Sequence, residues 1–258
     1  MKFAVITDVH GNAQALEAVL AEIDAAGDVS HIYCLGDMIA IGHETNRVLG
    51  VLFGRRDVSM ITGNHDEAVL ALAAGREYPR SHLHVLAHHQ WIADNMDSAF
   101  IGELEKLPRV IREEFHGHRV LFTHYHMETR KADVPISDDP FSQIVEPALG
   151  NAERMFSGHG ESLICFGHHH PQHFFHNDQT IYLNPGALGC NDKPEAPYAI
   201  IEAKSEGFAV EIKQAAYDNK GFLEAYDKLQ VPERDFILRI FHGGQSSAAL
   251  RRQLEENT

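Results

Sequence analysis

Apolar positions along the first third of the chain follow two alternating rhythms. Residues 3–7 form an apolar, partly β-branched run, and Leu16, Val19, Leu20 and Ile23 then recur at helical spacing within 13–25. The pattern repeats as a strand at 32–35, a helix at 45–53 and a strand at 58–62. Strand–helix–strand alternation at this spacing predicts parallel pairing through right-handed crossovers. From 67 to 107 the pattern is helical and rich in histidine, which predicts a helical cap beside the sheet with Trp91 as core.

The second half changes character. Residues 110–115 and 119–123 flank a His-Gly pair and predict a hairpin. Residues 127–147 carry three prolines and two adjacent aspartates, which predicts a long loop. A short helix at 152–156 and a strand at 163–166 follow. Strands at 174–176, 180–183, 198–202 and 208–213 then complete a second, mostly antiparallel set. Two helices close the pattern, one at 222–229 and one with Pro232 in its first turn that ends by Gly243-Gly244. Their stripe of Phe222, Tyr226, Leu229, Phe236, Leu238 and Phe241 reads as packing, with a homodimer interface as a second use. The polar tail, 245–258, is expected to be disordered. With no repeat or low-complexity linker, residues 1–258 read as a single domain.

Composition narrows the function classes. Lys and Arg total 22 and Asp and Glu 37, so 22 − 37 leaves a formal charge of −15. Such a surface disfavours long nucleic acid, because a polyanion needs a positive partner. The three cysteines have no paired spacing, which suits a reducing cytoplasm and offers no cysteine-based zinc site. The apolar run at the start stops at Asp8, too short for a secretory segment. No stretch approaches ~20 uninterrupted apolar residues, so no membrane span is expected. The 19 histidines are the first pointer to metal.

That pointer sharpens where strands end. Asp8-Val9-His10 follows the first strand, Gly36-Asp37 the second and Gly63-Asn64-His65-Asp66 the third. Thr123-His124 and Gly167-His168-His169-His170 end two later strands. Ligands gather at the carboxyl ends of strands in open α/β sheets, so five such clusters can share one rim. In extended backbone residues i and i+2 project to the same side, which would let Asp8 and His10, or His168 and His170, act together. Each fragment alone also suits a turn or a helix cap; the ordered set does not.

The set resembles the calcineurin-like metallophosphoesterase superfamily, whose pattern is D-x-H, G-D, G-N-H-[DE], a strand-terminal H and G-H-x-H. Here these read DVH at 8–10, GD at 36–37, GNHD at 63–66, THYH at 123–126 and GHHH at 167–170. The resemblance implies a four-layer α/β/β/α sandwich of two mixed sheets with a two-metal site between them. It implies that Asp8, His10 and His170 hold one ion, that Asn64, His124 and His168 hold the other, and that Asp37 bridges both. The ions would be Mn, Fe or Zn, clamping a phosphoryl group and supplying a bridging hydroxide for in-line attack. Two such ions outweigh Asp8, Asp37 and the hydroxide, so the site would be locally positive. His65 would protonate the leaving oxygen. Asp66 would orient His65 or cap a helix. His124 is preferred to His126 as ligand because it ends its strand; His126 and Tyr125 would then lie behind it or meet substrate. Asn184-Pro185-Gly186 matches a family loop near the site and also suits a tight turn.

Two departures bear on substrate. Protein phosphatases of the superfamily read GDxVDRG, whereas GDMIAIG here places Ala40 and Ile41 where an acid and a phosphate-gripping arginine stand. After NPG the chain runs ALGCNDK, where Lys193 is the one cation. Fewer fixed cations suit a singly charged diester better than a dianionic monoester, so the expectation is a phosphodiesterase for small or nucleotide-type esters. A phosphomonoesterase or protein phosphatase, and a non-catalytic scaffold such as the retromer subunit that resembles these enzymes, are the alternatives. His82, His84, His88 and His89 read as solvated or packing residues. His169 should point away from its neighbours, and Cys190 has no base partner to activate it.

Overall fold

The computed structural model describes residues 1–243 of the 258; the polar tail lies outside them. Strands β1 (Lys2–Ile6), β2 (His31–Cys34) and β3 (Val58–Met60) pair in parallel. Helices α1 (Ala13–Ala26) and α2 (Thr45–Gly54) connect them. Asn12 caps α1 by accepting from the Ala15 amide at 3.0 Å, and Gly27 ends it at φ 69°, a left-handed turn that glycine adopts without strain. Helices α3 (Asn64–Ala73), α4 (Leu86–Asn95) and α5 (Ser98–Leu104) follow β3. The region read as a cap contributes Val69, Leu70, Ile92, Met96 and Leu104 to the apolar core shared with α1 and α2. Most of it is therefore part of the outer helical layer.

The second sheet has the order β4-β5-β6-β8-β7, built from Val110–Phe115, His118–Thr123, Leu163–Cys165, Ile181–Asn184 and His173–His176. β4/β5 and β7/β8 pair antiparallel, while β5/β6 and β6/β8 pair parallel. The mostly antiparallel expectation fails at this centre, because the long connection through α6 (Leu149–Met155) returns the chain in the same direction. β9 (Glu195–Lys204) and β10 (Gly207–Ala216) do pair antiparallel, but they extend the first sheet, in the order β10-β9-β1-β2-β3, rather than the second. β9 lies antiparallel to β1, with Phe3 opposite Ile201. Its run Ala196–Ala199 is buried, as a strand covered on both faces must be.

Alternation within the strands creates the layers. Phe3 and Val5 point inward to meet Val120, Phe122, Leu163, Cys165 and Leu183 of the other sheet. Ala4 and Ile6 point outward onto α1 and α2. Leu121, Ile164 and Tyr182 point the other way, onto Ala152 and Phe156. The result is helix, sheet, sheet, helix, with Tyr33 and Phe122 stacked at 3.9 Å between ring centres in the middle. Helices α7 (Lys220–Lys228) and α8 (Arg234–Phe241) pack as a third core on Ile41, Ala187 and Cys190. α8 starts two residues beyond Pro232, because Glu233 is left-handed at φ 59°. No helix among the described residues is long and apolar enough to cross a membrane.

Candidate metal centre

The loops after β1, β2, β3, β5 and β6 end at one rim, where two donor clusters meet. In the first, Asp8 Oδ1 lies 3.7 Å from Nε2 of both His10 and His170, and those nitrogens are 3.1 Å apart. In the second, Asn64 Oδ1 lies 3.0 Å from His124 Nε2 and 2.7 Å from His168 Nδ1. Asp37 Oδ2 stands between them, 3.9 Å from His10 Nε2 and 3.2 Å from His124 Nε2. All seven residues named from the sequence thus converge. The route is not the extended one: Asp8 (φ 53°), His10 (φ 47°), Asp37 (φ 50°) and His168 (φ 66°) are left-handed. Each such residue costs of order 1–3 kcal/mol, strain that persists where surrounding structure over-determines it.

The donors fit a cation. Among the described residues Asp8 Oδ1 is buried with no hydrogen-bond partner, while Oδ2 accepts from Thr7 Oγ1 at 2.8 Å and from the His168 amide at 3.0 Å. A buried carboxylate oxygen among converging ring nitrogens is an electron-rich gap that a positive ion would satisfy. His124 Nδ1 donates to the Leu35 carbonyl at 2.7 Å, which aims Nε2 at the centre. Burial draws His168 down to about 3 and His170 down to about 4, so both rings are neutral donors near pH 7. For His124 burial pulls the same way, but the Asp37 carboxylate outweighs it and lifts the ring to about 9. A proton there occupies the place a cation would take.

Close packing of glycine makes this possible. A Cβ on Gly63 would fall 2.2 Å from Asp37 Oδ1 and 2.5 Å from the Asp37 amide nitrogen. Gly63→Ala should therefore displace Asp37, lose metal binding and lower stability by about 1–3 kcal/mol. Metal analysis with thermal unfolding checks this; a stable variant holding the wild-type metal content would refute it.

The surrounding residues refine the sequence reading. Asp66 Oδ2 accepts from the Gly63 amide at 2.9 Å, and Oδ1 from the Met38 and Ile39 amides at 2.9 and 3.2 Å. Of its two expected roles the geometry realises capping, extended to tie the second and third loops together. Asn184 Nδ2 donates to the His169 carbonyl at 2.5 Å and so fastens the GHHH loop. His169 itself turns away, to His173 at 2.9 Å. His126 Nδ1 meets Ser142 Oγ at 2.8 Å and anchors the long loop, leaving His124 at the centre. Cys190 is buried close to His10 and His170, where burial foremost pushes its thiol well above the usual range. Lys193 is exposed.

Two of the histidines read as solvated or packing belong to the site. His82 Nε2 lies 2.8 Å from Asn64 Nδ2, which orients the amide so that Oδ1 faces the centre. His89 Nε2 lies 2.8 Å from His65 Nδ1. Two match their expectation: His84 is exposed, and His88 is buried beside Trp91. Nothing in the spacing separates these pairs, since His82 lies on a 3-10 turn and His89 on α4. Two aromatic walls come from segments whose pattern predicts loop or packing. Phe141, from the long loop, lies 5.5 Å between centres from His124, and Phe241 of α8 lies 5.5 Å from His170. A cleft of about 360 Å³ opens beside Asn64 and His168, with Ile136, Phe141 and Ile144 as its apolar lining.

Known proteins resemble this chain in sequence and in fold. An uncharacterized protein of Methanocaldococcus jannaschii is 27% identical over 242 residues, 89% of this chain and 93% of its own length. A symmetrical bis(5′-nucleosyl)-tetraphosphatase of Hamiltonella defensa is 33% identical over 82 residues, 31% of this chain and 30% of its own. The crystal structure of a metallophosphoesterase from Sphaerobacter thermophilus superposes with a TM-score of 0.66 at 23% identity, over 90% of this chain and 96% of that one. The family described as the calcineurin-like phosphoesterase superfamily domain matches residues 1–206. With five motif loops on one rim and most of its length matched, the chain belongs to the calcineurin-like phosphoesterase superfamily.

Proposed function

We propose that the chain is a dinuclear-metal phosphoesterase that prefers phosphodiesters, with nucleotide-type esters as the substrate class. The observation that carries this reading is the shared carboxylate, Asp37, between two sets of oxygen and nitrogen donors. Asp8, His10, Asp37 and His170 would hold one ion, and Asp37, Asn64, His124 and His168 the other. This mixed donor set suits Mn, Fe or Zn. When bound, such a pair supplies an activated water and positive charge for the phosphoryl oxygens.

The chain's own residues do the rest. His65 is partly exposed in the first turn of α3, its ring centre 5.2 Å from that of His10, and it protonates the leaving oxygen. Asp66 holds the loops that present it. Among the described residues the apolar cleft has no lysine or arginine in its lining, so it accepts an uncharged organic arm better than further phosphate. Ala40 and Ile41 are buried in apolar cores, so the site has no cation from that turn. Both features favour a diester. The activity named for the Hamiltonella defensa relative supports the nucleotide-type part of the reading. The three buried, unpaired cysteines suit a cytoplasmic setting.

The test compares Mn²⁺-loaded protein on bis(p-nitrophenyl) phosphate and p-nitrophenyl phosphate. We expect kcat/KM to favour the diester by about tenfold or more, a difference of about 1.4 kcal/mol. The opposite ratio would assign a monoesterase. Bound metal without hydrolysis of either ester, or of nucleotides, would assign a binding scaffold.

A further inference from the structure

Hydrogen bonds carry direction, and a chain of them behind His65 has only one consistent direction. Tyr78 Oη lies 3.0 Å from the His82 carbonyl and 2.8 Å from His89 Nδ1. A carbonyl only accepts, so the single hydroxyl proton of Tyr78 goes to it. Tyr78 must then accept from His89, which places the His89 proton on Nδ1. His89 is fully buried, and burial foremost holds its ring neutral, so Nε2 keeps its lone pair. That lone pair faces His65 Nδ1 at 2.8 Å and can only accept. His65 therefore carries a proton on Nδ1 and leaves Nε2 as the nitrogen that takes up and releases a second one.

We propose that Tyr78 and His89 are positioning residues that fix the tautomer and ring orientation of His65, so that Nε2 serves the leaving group. This rests on the role given to His65 above. Neither residue is among the groups that would hold metal; His89 acts through His65, and Tyr78 acts through His89 while also meeting the His82 carbonyl. Positioning is the part of general acid catalysis that a misplaced ring forfeits.

The test uses three variants of the full chain loaded with Mn²⁺. His89→Leu cannot accept from His65. His89→Gln can, through its amide oxygen, while its amide nitrogen still donates to Tyr78. Tyr78→Phe removes the far end. On a diester with an alkoxide leaving group, which needs a proton, we expect kcat to fall by roughly 10²-fold in His89→Leu and about tenfold in Tyr78→Phe. His89→Gln should recover to within about tenfold of wild type, with KM and metal content unchanged in all three. On bis(p-nitrophenyl) phosphate, whose leaving group needs no proton, the losses should be about tenfold smaller. In parallel, ¹⁵N NMR of the imidazoles should show His65 protonated at Nδ1 in wild type and as a tautomer mixture in His89→Leu. This readout needs no substrate, so it decides the proposal even if the esterase reading fails. An unchanged His65 tautomer in His89→Leu, or equal losses on both leaving groups, would overturn it.

Discussion

Asp37→Asn should abolish the two-ion centre while leaving the fold in place. The substitution keeps the size of the side chain and removes the charge that lies between the two clusters, 3.2 Å from His124 and 3.9 Å from His10. Both of the donor sets proposed to hold an ion contain this carboxylate, so neither is complete without it. We expect metal content to fall from two ions per chain to one or none, and phosphoesterase activity to fall by at least ~10³-fold. A thermal measurement reads the same loss without substrate. At a Mn²⁺ concentration about 100-fold above Kd, linkage stabilises the folded wild type by about 2.7 kcal/mol. That corresponds to about 5–10 °C in Tm for a chain of this size. The variant should show little of this rise. Two retained ions and an unchanged rate would remove Asp37 from the centre.

His65→Gln separates chemistry from metal binding. His65 donates its backbone amide to Asp37 Oδ1 at 2.8 Å, a contact that survives any side-chain change. Its imidazole stands over the rim, where none of the closest donor contacts of either cluster involves it. Loss of a general acid costs about 10²–10⁴-fold, so kcat on esters with poor leaving groups should fall by that amount with both ions retained. Metal analysis beside steady-state kinetics checks it. A parallel loss of metal would make His65 a structural residue, and an unchanged rate would remove it from the reaction.

The linear pattern named residues that meet at one rim because their motifs fall at strand ends, where sequence order and spatial order coincide. Asp8, His10, Asp37, Asn64, His124, His168 and His170 could each be named from their motif. The same pattern could not show how they meet. Asp8 and His10 reach one cluster through left-handed backbone, which no periodicity argument contains. Asp66 admitted two roles from its place in GNHD, and its three backbone amide donors are visible only once the loops after β2 and β3 stand side by side.

Local signals also failed wherever a partner was distant in the chain. β9 and β10 read as members of the later sheet because neighbours in sequence usually pair, yet β9 closes against β1, nearly 200 residues away. The histidines at 82–89 look alike in sequence; their roles diverge because one faces Asn64, another His65, a third the Trp91 side of the core and the last solvent. Phe141 and Phe241 lie in segments whose composition gave no reason to place them over His124 and His170. Strand and helix periodicity, the chemical types of the donors and the absence of fixed cations at positions 40 and 41 are local properties, and the amino-acid order alone establishes them. Sheet membership, the orientation of Asn64 and His65 by the neighbouring helices, and the walls of the cleft depend on contacts between distant segments, which exist only after the two sheets have packed face to face.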